Sequence, residues 1–298
     1  MPLGEITAAA AGGWTLGDRT VRRMGFGSMR LTANPDRDLA IRVVRRAVEL
    51  GVNHIDTAAF YFSPGGTLGV GDGPTRYATE IIRQALSTYD EQIVVATKVG
   101  PGDDPSTGFY QARTAEQLRR QVEENLRRLG RDHLDVVNLR ILKKPGHDSI
   151  AERFGALAEM REEGMIRHLG LSNVRADHLD EAQSIAPVVC VQNGYALDFK
   201  REDDDLLRLC ERRGVAFVPF FALAGARRAA GSATDHDAAV RSVAQAHGAT
   251  PQQVRLAWTL HQGPHVLAIP GTGDPGHLEE NVAAAGLRLS PEELARLG

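Results

Sequence analysis

The sequence has few of the features that mark disulfide-rich, metal-binding or membrane proteins. Two cysteines, Cys190 and Cys210, occur among 298 residues, which fits neither a disulfide framework nor a metal cluster. A formal charge of −3 gives no reason to expect nucleic acid or an anionic membrane as a partner. Because no stretch approaches about 20 uninterrupted apolar residues, no segment is expected to span a membrane.

The first residues, MPLGEITAAAAGGW, lack the basic start and the long apolar run of a secretory signal. We therefore expect a cytoplasmic protein. An apolar content of 42% and a charged content of 24% are ordinary for a globular protein. A chain of 298 residues is long enough for two average domains, but a single α/β barrel of about 250 residues also folds as one domain.

Apolar runs of strand length alternate with helical patterns along the chain. The eight candidate strands are 24–29, 54–58, 93–99, 134–139, 168–172, 188–193, 216–221 and 266–270. A predicted helix follows each strand, beginning near residues 36, 74, 114, 149, 175, 202, 237 and 275, and a further helix over 251–261 precedes the last strand. Left-handed helix ends are predicted at Gly51, Gly130, Gly164, Gly214 and Gly263. The segments TPQQ (250–253) and SPEE (290–293) predict capped helix starts.

Alternating strands and helices predict a parallel sheet. Eight equal units without a break in composition favour closure of that sheet into an α/β fold of the (β/α)8 TIM barrel type. An open doubly wound sheet is the competing fold, but the segment RTVRRMGFGSMR lacks the glycine fingerprint that such a sheet often carries after its first strand. We expect one domain over 1–298, with residues 12–23 forming an N-terminal β-hairpin at the bottom of the barrel.

Polar residues occur at the predicted carboxyl ends of the strands, where the βα loops of a barrel converge. They are Asp56, Lys98, Asn138, Arg140, Ser172, Asn173, Gln192 and Asn193. Tyr61 lies in the loop after the second strand. This pattern predicts a functional site at the mouth of the barrel.

Asp56, Lys98 and Tyr61 together are typical of an acid–base device. A buried lysine needs a partner, which the carboxylate of Asp56 would supply. An ammonium beside a phenol favours the phenolate, so Tyr61 is suited to donate a proton to a developing alkoxide. Each residue alone also has a simpler interpretation, since Asp56 can form a turn or helix cap and Tyr61 can serve in packing.

The segment PGTGDPGH, residues 270–277, contains the pattern G-x-G-x-x-G at Gly271, Gly273 and Gly276. It is a weak dinucleotide fingerprint because no further βαβ unit follows it. It is a better phosphate loop, since barrels often bind phosphate after strands seven and eight. The alternative is an ordinary surface helix capped by Asp274 and Pro275.

These motifs resemble the aldo-keto reductase family over nearly the whole chain, from MGFGSM to LRLSPEEL. HIDTAAFY resembles the family's Asp-Thr-Ala-x-x-Tyr segment, VVATKV its lysine strand, and HLGLSNV its Ser-Asn pair, while VQNGY and IPGTGDPGHLEEN are similar to its later cofactor segments. The resemblance implies NADPH-dependent reduction of an aldehyde or ketone to the alcohol. Of the family's catalytic Asp, Tyr, Lys and His, the first three carry over as Asp56, Tyr61 and Lys98.

The resemblance also implies a cofactor site. Ser172, Asn173 and Gln192 would hold the nicotinamide carboxamide, and Phe220 would stack on the nicotinamide ring. The adenosine 2′-phosphate would meet Gly271, Thr272 and His277, and the adenine would meet Glu280 and Asn281. The other cofactor-binding residues are Gly27, Ser28, Met29, Asp56, Ala222, Leu223 and Gly273. His277 stands where arginine is commoner, and a neutral histidine lacks arginine's bidentate fork, but NADPH remains the predicted cofactor over NADH.

The sequence departs from the family at Arg140, which aligns with the catalytic histidine. An arginine cannot relay a proton, but it can donate hydrogen bonds to a carbonyl oxygen. We therefore predict that Arg140 orients the substrate and polarises its carbonyl. The segment NLR at this position also resembles the branch of the family that includes bacterial pyridoxal reductases, which makes pyridoxal a sensible first substrate.

The expected partner is a small carbonyl compound, and Phe60 and Phe62 beside Tyr61 favour an aromatic one. The glycine-rich loop over 60–75 is either a lid or an ordinary surface loop. A non-catalytic NADPH-binding regulatory subunit on the same barrel stays an alternative because the histidine is missing. A metal-dependent hydrolase would need His or carboxylate ligands at several strand ends, which here carry mainly Lys, Asn, Gln and Ser, so no metal is expected.

Overall fold

The structure is a computed structural model that describes residues 6–69, 71–89, 92–104, 108–199, 203–223 and 237–298. Its α-helices in these ranges are α1 (Arg37–Glu49), α2 (Ala78–Leu86), α3 (Ala115–Leu129), α4 (Ala151–Glu162), α5 (Ala176–Ile185), α6 (Asp204–Arg212), α7 (Asp237–His247), α8 (Pro251–His261), α9 (Pro275–Ala283) and α10 (Pro291–Leu297). Its strands are β1 (Gly13–Leu16), β2 (Arg19–Arg22), β3 (Phe26–Gly27), β4 (His54–Asp56), β5 (Phe62–Ser63), β6 (Arg76–Tyr77), β7 (Val94–Val99), β8 (Pro101–Asp104), β9 (Gly108–Gln111), β10 (Leu134–Arg140), β11 (Ile166–Ser172), β12 (Val188–Gln192) and β13 (Ala216–Phe217).

The parallel sheet runs in the order β3-β4-β7-β10-β11-β12-β13. Its register sets the carboxyl ends of neighbouring strands level, because Asn138 pairs with Lys98 and Arg140 pairs with Ser172, which in turn pairs with Gln192. The apolar faces of the surrounding helices pack on the outside of this sheet, as predicted for an α/β barrel.

The segment over 266–271 closes the barrel between the two edges of the sheet. Val266 bridges to Phe217 on one side, and Ala268 and Gly271 bridge to Met24 and Gly27 on the other. It pairs through isolated bridges rather than as the continuous eighth strand that the sequence predicts. The close approach explains the glycine, since a Cβ on Gly271 would lie 2.6 Å from the carbonyl oxygen of Gly27. The predicted TIM barrel fold is therefore confirmed, with a less regular final strand.

The predicted N-terminal hairpin is confirmed as the antiparallel pair β1 and β2. Its buried residues Leu16 and Val21 pack with Val94, Val136 and other side chains of the barrel interior. The hairpin therefore closes the bottom of the barrel with apolar contacts.

Local sequence signals explain most helix ends. Thr250 with Gln253 and Ser290 with Glu293 form the predicted capping boxes. The predicted left-handed glycines are confirmed, with one exception, at Gly51, Gly130, Gly164 and Gly214. The exception is Gly263, where the prediction is wrong: it has no positive φ, and a Cβ there would lie 2.6 Å from the ring of His265. Close packing rather than backbone conformation requires that glycine.

The loop after β4 also differs from the prediction. Helix α2 begins at Ala78 rather than near residue 74, because β5 and β6 pair before it and hold residues 76 and 77 extended. Among the helices of the described ranges, none combines the length and apolarity needed to cross a bilayer.

Candidate active site

An ion pair between Asp56 and Lys98 lies at the carboxyl end of the sheet. The Lys98 ammonium donates hydrogen bonds to both carboxylate oxygens of Asp56 at 2.8 Å and to the carbonyl oxygen of Thr57 at 2.9 Å. Lys98 is 1% exposed and Asp56 is 3% exposed. Because all three ammonium protons have an acceptor, the buried charge is fully hydrogen-bonded. Loss of either partner would leave the other charge buried without compensation.

Gln192 also contacts this pair. Its side-chain Nε2 donates to Asp56 Oδ1 at 2.7 Å, and the whole residue is buried. Its Oε1 is buried and has no hydrogen-bond partner among the described residues. The end of β12 therefore presents an unpaired acceptor next to the carboxylate.

Tyr61 lies against the lysine. The Lys98 Nζ atom is 4.7 Å from the centroid of the Tyr61 ring, a distance that permits cation–π attraction. The ring packs edge-on against Phe60 and belongs to a small apolar cluster with Ala58, Ala78 and Met29. The backbone of Tyr61 is held as well, because its carbonyl accepts from Ala78 N at 2.9 Å. Packing and backbone hydrogen bonds thus hold the phenol over the ammonium.

A second group forms around Arg140. Its Nη1 donates to Ser172 Oγ at 2.8 Å, and its Cζ lies 4.8 Å from the ring centroid of Phe220. The structure therefore brings Arg140 together with two residues of the predicted nicotinamide site. This side chain is half-buried at the end of β10.

Asn173 holds a loop in place. Its Nδ2 donates to the carbonyl oxygens of Ile141 and Lys143, at 2.7 and 2.8 Å. Its φ of 55° is in the left-handed region, which asparagine tolerates better than most residues. The amino group of Asn173 therefore fastens the loop after β10, which is a structural role in addition to the predicted one.

Residues 27–29, at the carboxyl end of β3, lie next to Asp56 and Tyr61. Ser28 is fully buried, and its Oγ has no hydrogen-bond partner within the ranges that the structure covers. The Ser28 amide donates to the carbonyl of Asp56 at 2.9 Å. Met29 packs against the Tyr61 cluster, and Gly27 bridges to Gly271. Ala222, another predicted cofactor residue, is buried, and Leu223 packs against the main core.

The predicted phosphate region surrounds the start of α9. Asp274 caps this helix by accepting from His277 N at 2.8 Å, and its own amide donates to Thr272 Oγ1 at 3.0 Å. The side chain of His277 is 71% exposed, Glu280 is exposed, and Asn281 is buried. The predicted helix start is confirmed. The capping carboxylate adds a negative charge next to the loop that was predicted to meet a phosphate.

The barrel interior below the ion pair contains Asn138, one of the predicted strand-end polar residues, and His54, which the sequence prediction of the site did not include. His54 shares the inward face of β4 with Asp56, as two-residue spacing in a strand dictates. Burial lowers the pKa of His54 to about 4; nearby Asp56 opposes this shift and Lys98 adds to it. Asn138 is fully buried, accepts from the Cys190 thiol at 3.2 Å, and keeps an unpaired Nδ2. Alternation along the strand was the signal that could have identified His54.

The model of the "Aldo/keto reductase family" matches residues 23–298. Pyridoxine 4-dehydrogenase of Escherichia coli is 41% identical over 295 residues, which cover 95% of this chain and 96% of that protein. An uncharacterized oxidoreductase of Schizosaccharomyces pombe is 36% identical over 98% of this chain and 90% of its own length. The crystal structure of an aldo/keto reductase from Klebsiella pneumoniae in complex with NADP and acetate superposes with a TM-score of 0.78, at 28% identity, covering 96% of this chain and 93% of that one.

Proposed function

This chain belongs to the aldo/keto reductase family of oxidoreductases, and from this premise we propose that it reduces an aldehyde or ketone to the alcohol with NADPH. The observation that carries the proposal is the buried Asp56–Lys98 ion pair beneath the ring of Tyr61. At the carboxyl end of the barrel sheet, the phenol can act as an acid. The ammonium, which the carboxylate holds in place, lies beside the phenolate that remains after the proton is transferred.

The residues around the mouth fit a nicotinamide cofactor. The unpaired Gln192 Oε1 can accept from a carboxamide amino group, and the unpaired Ser28 Oγ is a further polar group in the same wall. The Phe220 ring offers a flat aromatic face at the end of the seventh predicted strand. When bound, the nicotinamide supplies the hydride. The NADP in the Klebsiella pneumoniae relative supports the choice of the phosphorylated cofactor.

Tyr61 is the proposed general acid. Its phenol proton passes to the carbonyl oxygen of the substrate as negative charge develops there. The adjacent Lys98 ammonium stabilises the phenolate that remains, and Asp56 keeps that ammonium in position. General acid catalysis by one such side chain contributes about 10²- to 10⁴-fold to the rate.

Arg140 takes the place of the family's histidine in this proposal. Its guanidinium donates to Ser172 and lies over Phe220, so it is anchored at the edge of the mouth. An N–H not used by Ser172 would donate to the carbonyl oxygen and hold the substrate in line with Tyr61. Arg140 thus orients and polarises the substrate without transferring a proton.

Pyridoxal is the proposed first substrate. The Escherichia coli relative is named for oxidation of pyridoxine, and reduction of an aldehyde is the reverse of such a reaction. Phe60 and Phe62 beside Tyr61 supply aromatic surface for a planar ring.

A carbonyl screen tests the proposal. The purified chain is mixed with NADPH or NADH and with pyridoxal, aromatic aldehydes and aliphatic ketones, and the loss of reduced-cofactor absorbance is followed. We expect turnover with NADPH and at least one aromatic aldehyde. NADPH binding without turnover of any carbonyl would favour the alternative, a regulatory subunit on the same barrel.

A further inference from the structure

A cavity of about 400 Å³ lies on the outer face of the helices, between α1, α2 and α3. Four arginines line it: Arg37 from α1, Arg83 from α2, and Arg127 and Arg128 from α3. Glu80, Gln84 and Ser87 are also in its wall. We call this feature, defined by these seven residues, the arginine cavity. None of the predicted active-site residues lines it.

The charge in the arginine cavity is unbalanced. Four guanidinium groups face one lining carboxylate, Glu80, which gives a local formal charge of +3 in a chain whose total is −3. Among the described residues, Arg37, Arg83 and Arg127 form no ion pair with a carboxylate. Two of them donate to neutral acceptors: Arg37 to Gln84 Oε1 at 3.2 Å and Arg83 to the backbone carbonyl of Arg127 at 3.5 Å. Three of the four lining arginines therefore lack a carboxylate partner among the described residues, and Arg128 has one in Glu124.

Arg128 forms the buried part of the wall. Its side chain is 10% exposed, and its Cζ lies 3.3 Å from the ring centroid of Tyr77. Glu124 pairs with Nη2 at 2.6 Å, but Nε and Nη1 have no acceptor among the residues that the structure describes. Buried polar groups are normally hydrogen-bonded, so two buried guanidinium nitrogens without an acceptor are an exception, although Glu124 neutralises the charge.

Helix electrostatics account for only part of this arrangement. Basic residues in the last turn favour the negative end of a helix dipole, which explains Arg83 at the end of α2 and Arg127 and Arg128 at the end of α3. The same effect does not apply to Arg37, which is at the first turn of α1, where a cation is disfavoured. A bound anion would explain all four arginines together.

We propose that the arginine cavity binds a phosphate monoester dianion carried by a small molecule. A guanidinium group can donate two parallel hydrogen bonds to phosphate oxygens, so the exposed Arg83 and Arg127 would bind the anion directly. The buried positive charge of Arg128 would add electrostatic attraction. The volume is within the range of small-molecule pockets and leaves space for an organic group beyond the phosphate. Ser87 offers a neutral hydroxyl for that group.

Calorimetric titration of the full chain tests this site. Glycerol 3-phosphate, inorganic phosphate and sodium chloride are titrated separately at constant ionic strength. Two double variants are compared with the unmodified chain. Arg83→Gln/Arg127→Gln removes two exposed lining cations, and Arg113→Gln/Arg120→Gln removes two arginines that do not line the cavity. Circular dichroism checks that each variant keeps its fold.

We expect saturable binding of both phosphate compounds and none of chloride. The Arg83/Arg127 variant should bind at least tenfold more weakly, and the Arg113/Arg120 variant within twofold of the unmodified chain. Tighter binding of glycerol 3-phosphate than of inorganic phosphate would show that the organic group contributes. The proposal is overturned if neither phosphate compound binds, if binding survives the Arg83/Arg127 substitutions, or if both variants lose it equally.

Discussion

The guanidinium of Arg140 lies 4.8 Å from the ring centroid of Phe220. This contact joins the residue proposed to take the place of the family's histidine to the ring predicted to stack on nicotinamide. In the proposed mechanism Arg140 would therefore act on both the cofactor face and the substrate side of the mouth. A substitution at Arg140 should therefore alter substrate reduction without disturbing the Asp56–Lys98 pair.

We expect Arg140→Leu to lower kcat/KM for a good aldehyde by about 10- to 100-fold, the loss expected for one charged hydrogen bond. Arg140→Lys should retain more activity because it keeps a donor, although not the fork. The control is Lys144→Gln, which removes an exposed charge near the rim. Steady-state kinetics measure all three, and an unchanged kcat/KM in Arg140→Leu would remove the residue from the mechanism.

Tyr61→Phe should lower kcat by at least about 10³-fold, because the phenol is the only proposed proton donor. The ring is retained, so the packing against Phe60 and the affinity for NADPH should stay within about threefold. Fluorescence titration gives the affinity, and Tyr89→Phe is the matched control for removal of a hydroxyl. Substantial reduction by Tyr61→Phe would mean that another group supplies the proton.

Lys98→Met should destabilise the fold by about 3–5 kcal/mol, because it leaves the Asp56 carboxylate buried without its cation. The double variant Asp56→Leu/Lys98→Met should recover part of this loss, since no buried charge remains. Urea unfolding monitored by circular dichroism measures the free energy of unfolding of each protein. The single variant Asp56→Leu completes the comparison. If the loss of unfolding free energy in the double variant equalled the sum of the losses in the two single variants, the two side chains would not be coupled.

His54 makes stability depend on pH. Its pKa falls from an ordinary value of 6.5 to about 4 in the folded chain, so the imidazole is neutral there while the unfolded chain takes up a proton below pH 6.5. Stability from this group is therefore complete above pH 6.5 and is lost as the pH falls toward 4, by about 3 kcal/mol in total.

The test compares His54→Gln with the unmodified chain in urea unfolding at several pH values from 7 to 4.5. Asp56 and Lys98 are the charged groups that act on His54, and both the His54→Gln variant and the unmodified chain retain them. The difference in unfolding free energy should shrink as the pH falls. Parallel pH profiles for the two proteins would contradict the shifted pKa.

The two cysteines should resist alkylation in the folded protein. Burial raises the pKa of Cys190 and of Cys210 to about 12, so almost no thiolate forms at pH 8. Iodoacetamide treatment followed by mass spectrometry should find unmodified protein in buffer and two modifications in guanidinium chloride. Rapid modification of either thiol in buffer would show that it is accessible.

The observed structure differs most from the sequence prediction in the loops and at the last strand. The predicted helix near residue 74 begins at Ala78 because Phe62 and Ser63 pair with Arg76 and Tyr77. No local sequence pattern predicted that pairing, because it joins two segments that are separated by a glycine-rich loop. The last strand behaves similarly, since Gly271 meets Gly27 only when the barrel closes. In both places a contact between distant segments overrides the local pattern.

The sequence by itself determined the alternation of strands and helices, most of the helix ends and the set of polar residues at the carboxyl ends of the strands. These depend on periodicity, caps and backbone dihedral angles, which act over a few neighbouring residues. Only the tertiary structure decided which of those polar groups touch. Lys98 donates a hydrogen bond to Asp56, which lies 42 residues earlier in the chain, and Arg140 contacts Ser172 and Phe220. Such contacts depend on strand register and barrel closure, and the arginine cavity likewise exists only because three helices pack side by side.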